Sequence, residues 1–292
     1  MEHIIFIWDG SPKNYINVCL ESLRLYNQQC IIHFHYSYES IKQVYQKFNI
    51  DFVKINNIEC KNKLQYYKIL ITKRLCETLN DNDKILVLDF DLLFQDNPFN
   101  MFKKFPNNDF YFTECIWTTS DSLRDEKLWK IIKYKVNGGV WGLNVNNNSK
   151  KLMEFWINNL LNETWQSWID YEPRQNRKGD LNWNVDQDFL NCINNYELPF
   201  ELKKVNVGYR YNYVVTTWGH FNKKLNMGNK IGNPEYVIIH FKANFKDTYN
   251  LNNEEIYNIK NILEKKDLTT EQSRKNIYNK FLSRGEQRFT IT

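Results

Sequence analysis

The chain has 292 residues, 42% of them hydrophobic and 25% charged, an ordinary balance for a globular protein with one large domain. Its net charge is +5, and residues 265–292 alone hold seven Lys/Arg against three Asp/Glu, so the body is near neutral. That is a poor match to the broad basic face expected of a nucleic-acid-binding domain.

No run of about 18 apolar residues exists, which excludes a transmembrane helix by hydropathy. The opening "MEHIIFIWDG" lacks a basic leader and reads as a strand, so a cytoplasmic protein is expected. The six cysteines are scattered with no CxxC pair, which argues against zinc and against a disulfide framework. They read as reduced core residues.

In chain order, 3–8 is a predicted strand and 12–27 a helix with Pro12 in its first turn. Strand 30–36, helix 39–48, strand 51–55 and helix 63–79 follow. The run "KILVLDF" (84–90) is apolar throughout, as a strand buried on both faces should be. Alternating strands and helices predict an α/β fold with a mainly parallel sheet. Later come strands 109–114 and 138–145, helix 149–165, a polar loop 166–183, a short helix 184–195 and a strand 236–241. Two tail helices are expected within 252–283. The division expected is a catalytic domain over 1–250 with a helical extension over 251–292.

Asp89 and Asp91 stand at the carboxyl end of the fourth strand, where open parallel sheets bind ligands. Side chains two apart on a strand point the same way, so both carboxylates could face one hard cation, Mg²⁺ or Mn²⁺. The competing readings are a solvated strand end and a phosphatase nucleophile of the DxDx(T/V) type. The latter fits poorly, because Leu93 stands where Thr or Val belongs.

Three further stretches carry chemistry. In "VNGGVWGLNV" (136–145), Gly138 and Gly139 permit close approach to the backbone, and Asn137 offers an amide to sugar hydroxyls; a tight turn is the plain alternative. In "WNVDQDFLN" (183–191), Asp186, Gln187 and Asp188 suit either a polar site or a capped helix start. In "IIHFKANFK" (238–246), His240 ends a strand and could complete a metal site, or be structural. Lys242, Lys246 and Arg210 are candidate phosphate contacts.

Taken in order, these stretches resemble the metal-dependent GT-A glycosyltransferases, most closely the glycogenin and lipopolysaccharide galactosyltransferase group. The matching residues are Asp89-Phe90-Asp91, Asn137-Gly138-Gly139-Val140, Asp186-Gln187-Asp188, and His240 with Lys246. The resemblance covers about residues 3–247 and implies a GT-A-like, Rossmann-like sheet flanked by helices. It implies that Asp89, Asp91 and His240 bind Mn²⁺ or Mg²⁺, and that Asp89 also contacts the ribose. Lys246 would meet the diphosphate. Asn137, Asp186 and Gln187 would face the donor sugar, with Asp188 in the same catalytic segment and Gly138 and Gly139 beside the donor. Asp9 would lie near the base or ribose, and Lys68 would be a basic donor-binding residue. The implied reaction moves a sugar from a nucleotide-diphosphate sugar, by default a UDP-sugar, to a hydroxyl of a glycan, glycolipid or glycoprotein, with retention.

The chain departs from the group at Ala243, which replaces a glycine, and at Asp247-Thr248, where Pro-Trp is usual. Trp165, Trp168, Tyr171 and Trp183 read as an acceptor platform or as core. The tail "TEQSRKNIYNKFLSRGEQR" (270–288), with Ile277 and Phe281 four apart, reads as an interfacial helix on a membrane or as a solvated one. A non-catalytic sugar-binding module and a sugar-nucleotide nucleotidyltransferase are the rival functions.

Overall fold

A computed structural model describes residues 1–55, 64–114, 136–162, 189–190, 193, 197–216 and 236–242. The predicted loop 166–183, the tail helices, the aromatic platform, Asp186, Gln187, Asp188 and Lys246 lie outside the described residues.

The elements run β1 (Glu2–Trp8), α1 (Asn14–Tyr26), β2 (Ile31–Tyr36), α2 (Ser40–Tyr45), β3 (Ile50–Lys54), α3 (Leu64–Thr78) and β4 (Lys84–Leu88). Then come β5 (Leu92–Phe94), α4 (Asn100–Lys104), β6 (Phe110–Glu114), β7 (Val136–Asn144) and α5 (Asn147–Asn162). β8 (Lys204–Asn206), β9 (Tyr213–Thr216) and β10 (Ile238–Lys242) complete them. Seven strands form one sheet in the order β3-β2-β1-β4-β7-β6-β8. β1 to β4 run parallel, β7 is antiparallel to both β4 and β6, and β8 is parallel to β6. The sheet is thus mostly parallel and helix-flanked, as GT-A folds are. A second sheet has the order β5-β10-β9.

The apolar run of β4 is explained by its two faces. Leu86 and Leu88 pack into one core with Ile4, Phe6 and Phe34, whereas Ile85 and Val87 pack into another with Ile5, Trp141 and Trp156. A strand with no solvent face has no polar position, so alternation disappears. Helix α1 starts at Asn14 with Lys13 as its N-cap, so Pro12 precedes the first turn instead of lying in it. At the other end of α1, Arg24 donates to the carbonyls of Cys30, Phe48 and Asn49, tying the helix to the β2 and β3 entries. Cys19, Cys30 and Cys76 are free, buried thiols. Among the described residues, no helix is long and apolar enough to cross a membrane.

Two histidines on the inner strands give the fold an acid-labile element. Burial lowers His3 and His35 from 6.5 to about 4. The unfolded chain therefore binds more protons than the folded one below about pH 6.5. Stability is flat above that value and falls as pH drops toward 4. The expected loss is about 2 kcal/mol per histidine by about pH 5, read as a lower urea midpoint than at neutral pH. Unchanged midpoints across that range would contradict the buried, neutral state of both rings.

Candidate functional site

The site forms where β4 leaves the large sheet. The ladder to β7 ends at the pair Leu88–Val140, and the chain turns through Asp89-Phe90-Asp91 into β5 of the small sheet. The two aspartates therefore do not sit on one strand, as their spacing suggested. They flank a junction between sheets. Phe90 pins that junction: its ring stacks on Phe6 at 4.3 Å and lies 4.6 Å from Phe34, inside the core. An aromatic between the carboxylates thus anchors the turn that presents them.

β10 supplies the third group. It pairs antiparallel with β5 so that His240 lies opposite Leu92, the neighbour of Asp91. The His240 Nε2 is 3.2 Å from Asp91 Oδ1 and 3.9 Å from Asp89 Oδ2. One donor atom from each of Asp89, Asp91 and His240 falls within 4.8 Å of the others. Asp91 and His240 are buried, while the Asp89 side chain is 36% exposed, so the cluster opens to solvent on one side. Two carboxylates and an imidazole nitrogen this close could together hold a divalent cation.

Strand β7 builds the wall opposite. Phe112 pairs with Trp141 and Glu114 with Val136, so Thr113 alone faces the four residues Asn137-Gly138-Gly139-Val140. That irregularity bows the glycine segment toward the aspartates. Gly139 O accepts from the Asp89 N–H at 2.9 Å, and Asn137 Oδ1 accepts from the Gly139 N–H at 2.8 Å. A Cβ on Gly139 would collide with the His240 ring and stand 2.8 Å from Asp89 Oδ2. Glycine is therefore required here by space.

Lys68, on α3, is buried and donates to Asp89 Oδ1 and to Gly138 O, both at 3.1 Å. It fixes the one exposed carboxylate of the cluster and brings a positive charge to its rim. Asp9 is exposed just past β1, at the same end of the parallel strands. Arg210 lies in the turn before β9, its guanidinium 5.5 Å from the Tyr211 ring. Two residues that the sequence did not single out complete the site, Asn212 and Thr113. His240 Nδ1 is 2.8 Å from Asn212 Oδ1, and Asn212 Nδ2 donates to Thr113 Oγ1 at 2.8 Å. Their only sequence signal is a polar residue beside apolar strand residues.

The nucleotide-diphospho-sugar transferase family pattern matches residues 35–250. No curated protein matches the sequence. Solved structures do. Mouse xyloside xylosyltransferase 1 in its apo form superposes with a TM-score of 0.53 at 12% identity, over 84% of this chain and 99% of that one. Galactosyltransferase LgtC, solved with donor and acceptor sugar analogs, gives 0.53 at 16% identity, over 90% and 95%. The glycosyltransferase GlyE of Streptococcus pneumoniae TIGR4 gives 0.52 at 16%, over 91% of this chain and 63% of that longer one. At such identities the structural likeness carries the fold.

Proposed function

This chain belongs to the nucleotide-diphospho-sugar transferase family, and from that premise we propose that it transfers a sugar from a UDP-sugar to a hydroxyl of a glycan, glycolipid or glycoprotein, with retention and with Mn²⁺ or Mg²⁺. The observation that carries this reading is the convergence of Asp89, Asp91 and His240 at the carboxyl end of parallel strands. The fit to a divalent ion rests on the donor set itself, and Gly139, by lacking a side chain, lets the β7 wall pack directly against those groups.

Asp89, Asp91 and His240 would hold the ion, which when bound supplies Lewis-acid neutralisation of the diphosphate. The remaining work falls to the chain. Lys68 holds Asp89 in place and offsets its charge. The Gly138-Gly139 backbone lets the donor lie close to the sheet. Asn137 spends its carbonyl oxygen on Gly139 and so shapes that backbone. Lys246 is assigned to the diphosphate, and Asp186, Gln187 and Asp188 to the far face of the sugar. In the transfer, the bond from the anomeric carbon to the phosphate oxygen breaks and the diphosphate leaves with the electron pair. The acceptor oxygen bonds to that carbon, and its proton passes to the departing phosphate. The proposed setting is cytoplasmic, with the basic tail against a membrane that carries the acceptor.

The test is release of nucleoside diphosphate from a panel of UDP- and GDP-sugars, with Mn²⁺ and with EDTA. Release from one UDP-sugar that EDTA abolishes is the expected result. No release and no nucleotide binding from any donor would overturn the proposal.

A further inference from the structure

We propose that Thr113 and Asn212 are positioning residues that hold His240 as a ligand through one directional hydrogen-bond chain. This rests on the reading of Asp89, Asp91 and His240 as a metal site.

The direction of the chain follows from its far end. The Val140 carbonyl can only accept, and Thr113 Oγ1 is 3.0 Å from it. The single hydroxyl hydrogen of Thr113 is therefore spent on Val140. Toward Asn212, at 2.8 Å, Thr113 can then only accept, so the amide nitrogen of Asn212 must face it. The amide oxygen of Asn212 is left facing His240 Nδ1 at 2.8 Å. An oxygen there accepts, so Nδ1 carries the hydrogen in either charge state of the ring. Nε2, turned toward Asp91 and Asp89, is then the ring atom that would meet a cation held by those carboxylates.

No member can be replaced by solvent, because Thr113, Asn212 and His240 are all 0% exposed. The chain also joins three separate parts of the fold. Val140 closes the bowed glycine segment of β7, Thr113 faces that segment from β6, and Asn212 precedes β9 beside β10. The hydroxyl that sets the imidazole's orientation is thus the same one that fastens the Gly139 wall. Outer-shell partners of this kind fix the tautomer of a ligating histidine, and losing one costs roughly 10–100-fold in metal affinity.

The decisive variant is Thr113→Val, which keeps shape and burial and removes only the hydroxyl. Without it Asn212 can turn its nitrogen toward His240, and Nδ1 must then accept. Two readouts follow on the full chain. One is the ¹⁵N-edited NMR signal of the His240 Nδ1–H in metal-free protein. The other is Mn²⁺ affinity, titrated with the metal alone by the electron-paramagnetic signal of the free ion. The expected result for Thr113→Val is loss of the Nδ1–H signal and Mn²⁺ binding weakened about 10–100-fold, with Thr113→Ser within about threefold of the unmodified chain. Asn212→Leu should match Thr113→Val, and serves if the valine variant does not fold. An Nδ1–H signal and Mn²⁺ affinity unchanged in Thr113→Val or in Asn212→Leu would overturn the relay alone. An unmodified chain that binds no Mn²⁺ would overturn the functional reading and the relay with it.

Discussion

Gly139→Ala is expected to abolish metal-dependent donor turnover in a protein that still folds. The added Cβ would overlap His240 Cε1, and would stand 2.8 Å from Asp89 Oδ2 and 3.0 Å from Asn137 Oδ1. None of these can yield without disturbing the site. His240 is fully buried and bonded at Nδ1, Asn137 is fully buried and bonded to the Gly139 N–H, and Asp89 is held by Lys68. Overpacking of this kind costs about 1–3 kcal/mol of stability. The larger effect falls on activity: displacing a ligand by half an ångström or more should lower kcat/KM at least about a hundredfold, roughly 3 kcal/mol. Gly142→Ala is the control on the same strand. Its Cβ would press on Leu86 Cδ2 at 2.9 Å and on Phe102 Cζ at 3.0 Å, both in the core. It should lower the melting temperature and leave turnover per folded molecule unchanged. Full turnover in folded Gly139→Ala would remove the argument that the glycine wall borders the reacting groups.

The strands and helices that the sequence displays most openly are those with a long repeat of burial. β1 to β4, α1 and α3 lie within a residue or two of their expected spans, because a fully buried strand and a one-faced helix leave distinct patterns. Helix α2 ends three residues early, where Gln46–Phe48 tighten into a 3₁₀ turn. β5, β8 and β9 are three or four residues long and show no usable period. Yet β5 and β9 flank β10, so the sheet that carries His240 was the least legible part. The same limit explains the mistaken geometry at Asp89 and Asp91. The apolar run continues through Phe90 into Leu92, so sequence alone extends β4 past the residue where its ladder stops. Burial continues across that break while hydrogen bonding changes sheets, and composition records only the burial.

The site divides along similar lines. Asp89, Asp91, Asn137, Gly139 and His240 could be picked out because each is costly or odd where it stands: acids beside apolar residues, paired glycines in a strand, and a histidine in an apolar strand, which stands at the centre of β10 and not at its end as expected. Thr113 and Asn212 are not odd. Threonine suits a strand and asparagine suits a turn, so a polar residue beside apolar ones is ordinary at both places. Their role appears only when β6, β7 and the segment before β9 are brought together in space.

Asp91→Asn should separate the cation from the fold most cleanly. Asp91 is 2% exposed and its Oδ1 is 3.2 Å from His240 Nε2. The carboxylate adds a second negative charge close to Asp89, which is unfavourable in a buried setting unless a cation is shared. An amide of the same shape removes that charge. It can also donate a hydrogen to the Nε2 lone pair, which an ionised carboxylate cannot. Metal-free stability of Asp91→Asn should therefore stay within about 1 kcal/mol of the unmodified chain. The response to Mn²⁺ should differ sharply. A ligand that binds only the folded state at 100 times its Kd adds about 2.7 kcal/mol, seen as a rise in melting temperature. Asp91→Asn should lose nearly all of that rise, together with most transfer activity. Equal stabilisation of both proteins by Mn²⁺ would show that the ion binds elsewhere, and full activity in Asp91→Asn would show that this carboxylate takes no part in transfer. A variant unfolded without metal would instead make Asp91 a structural partner of His240.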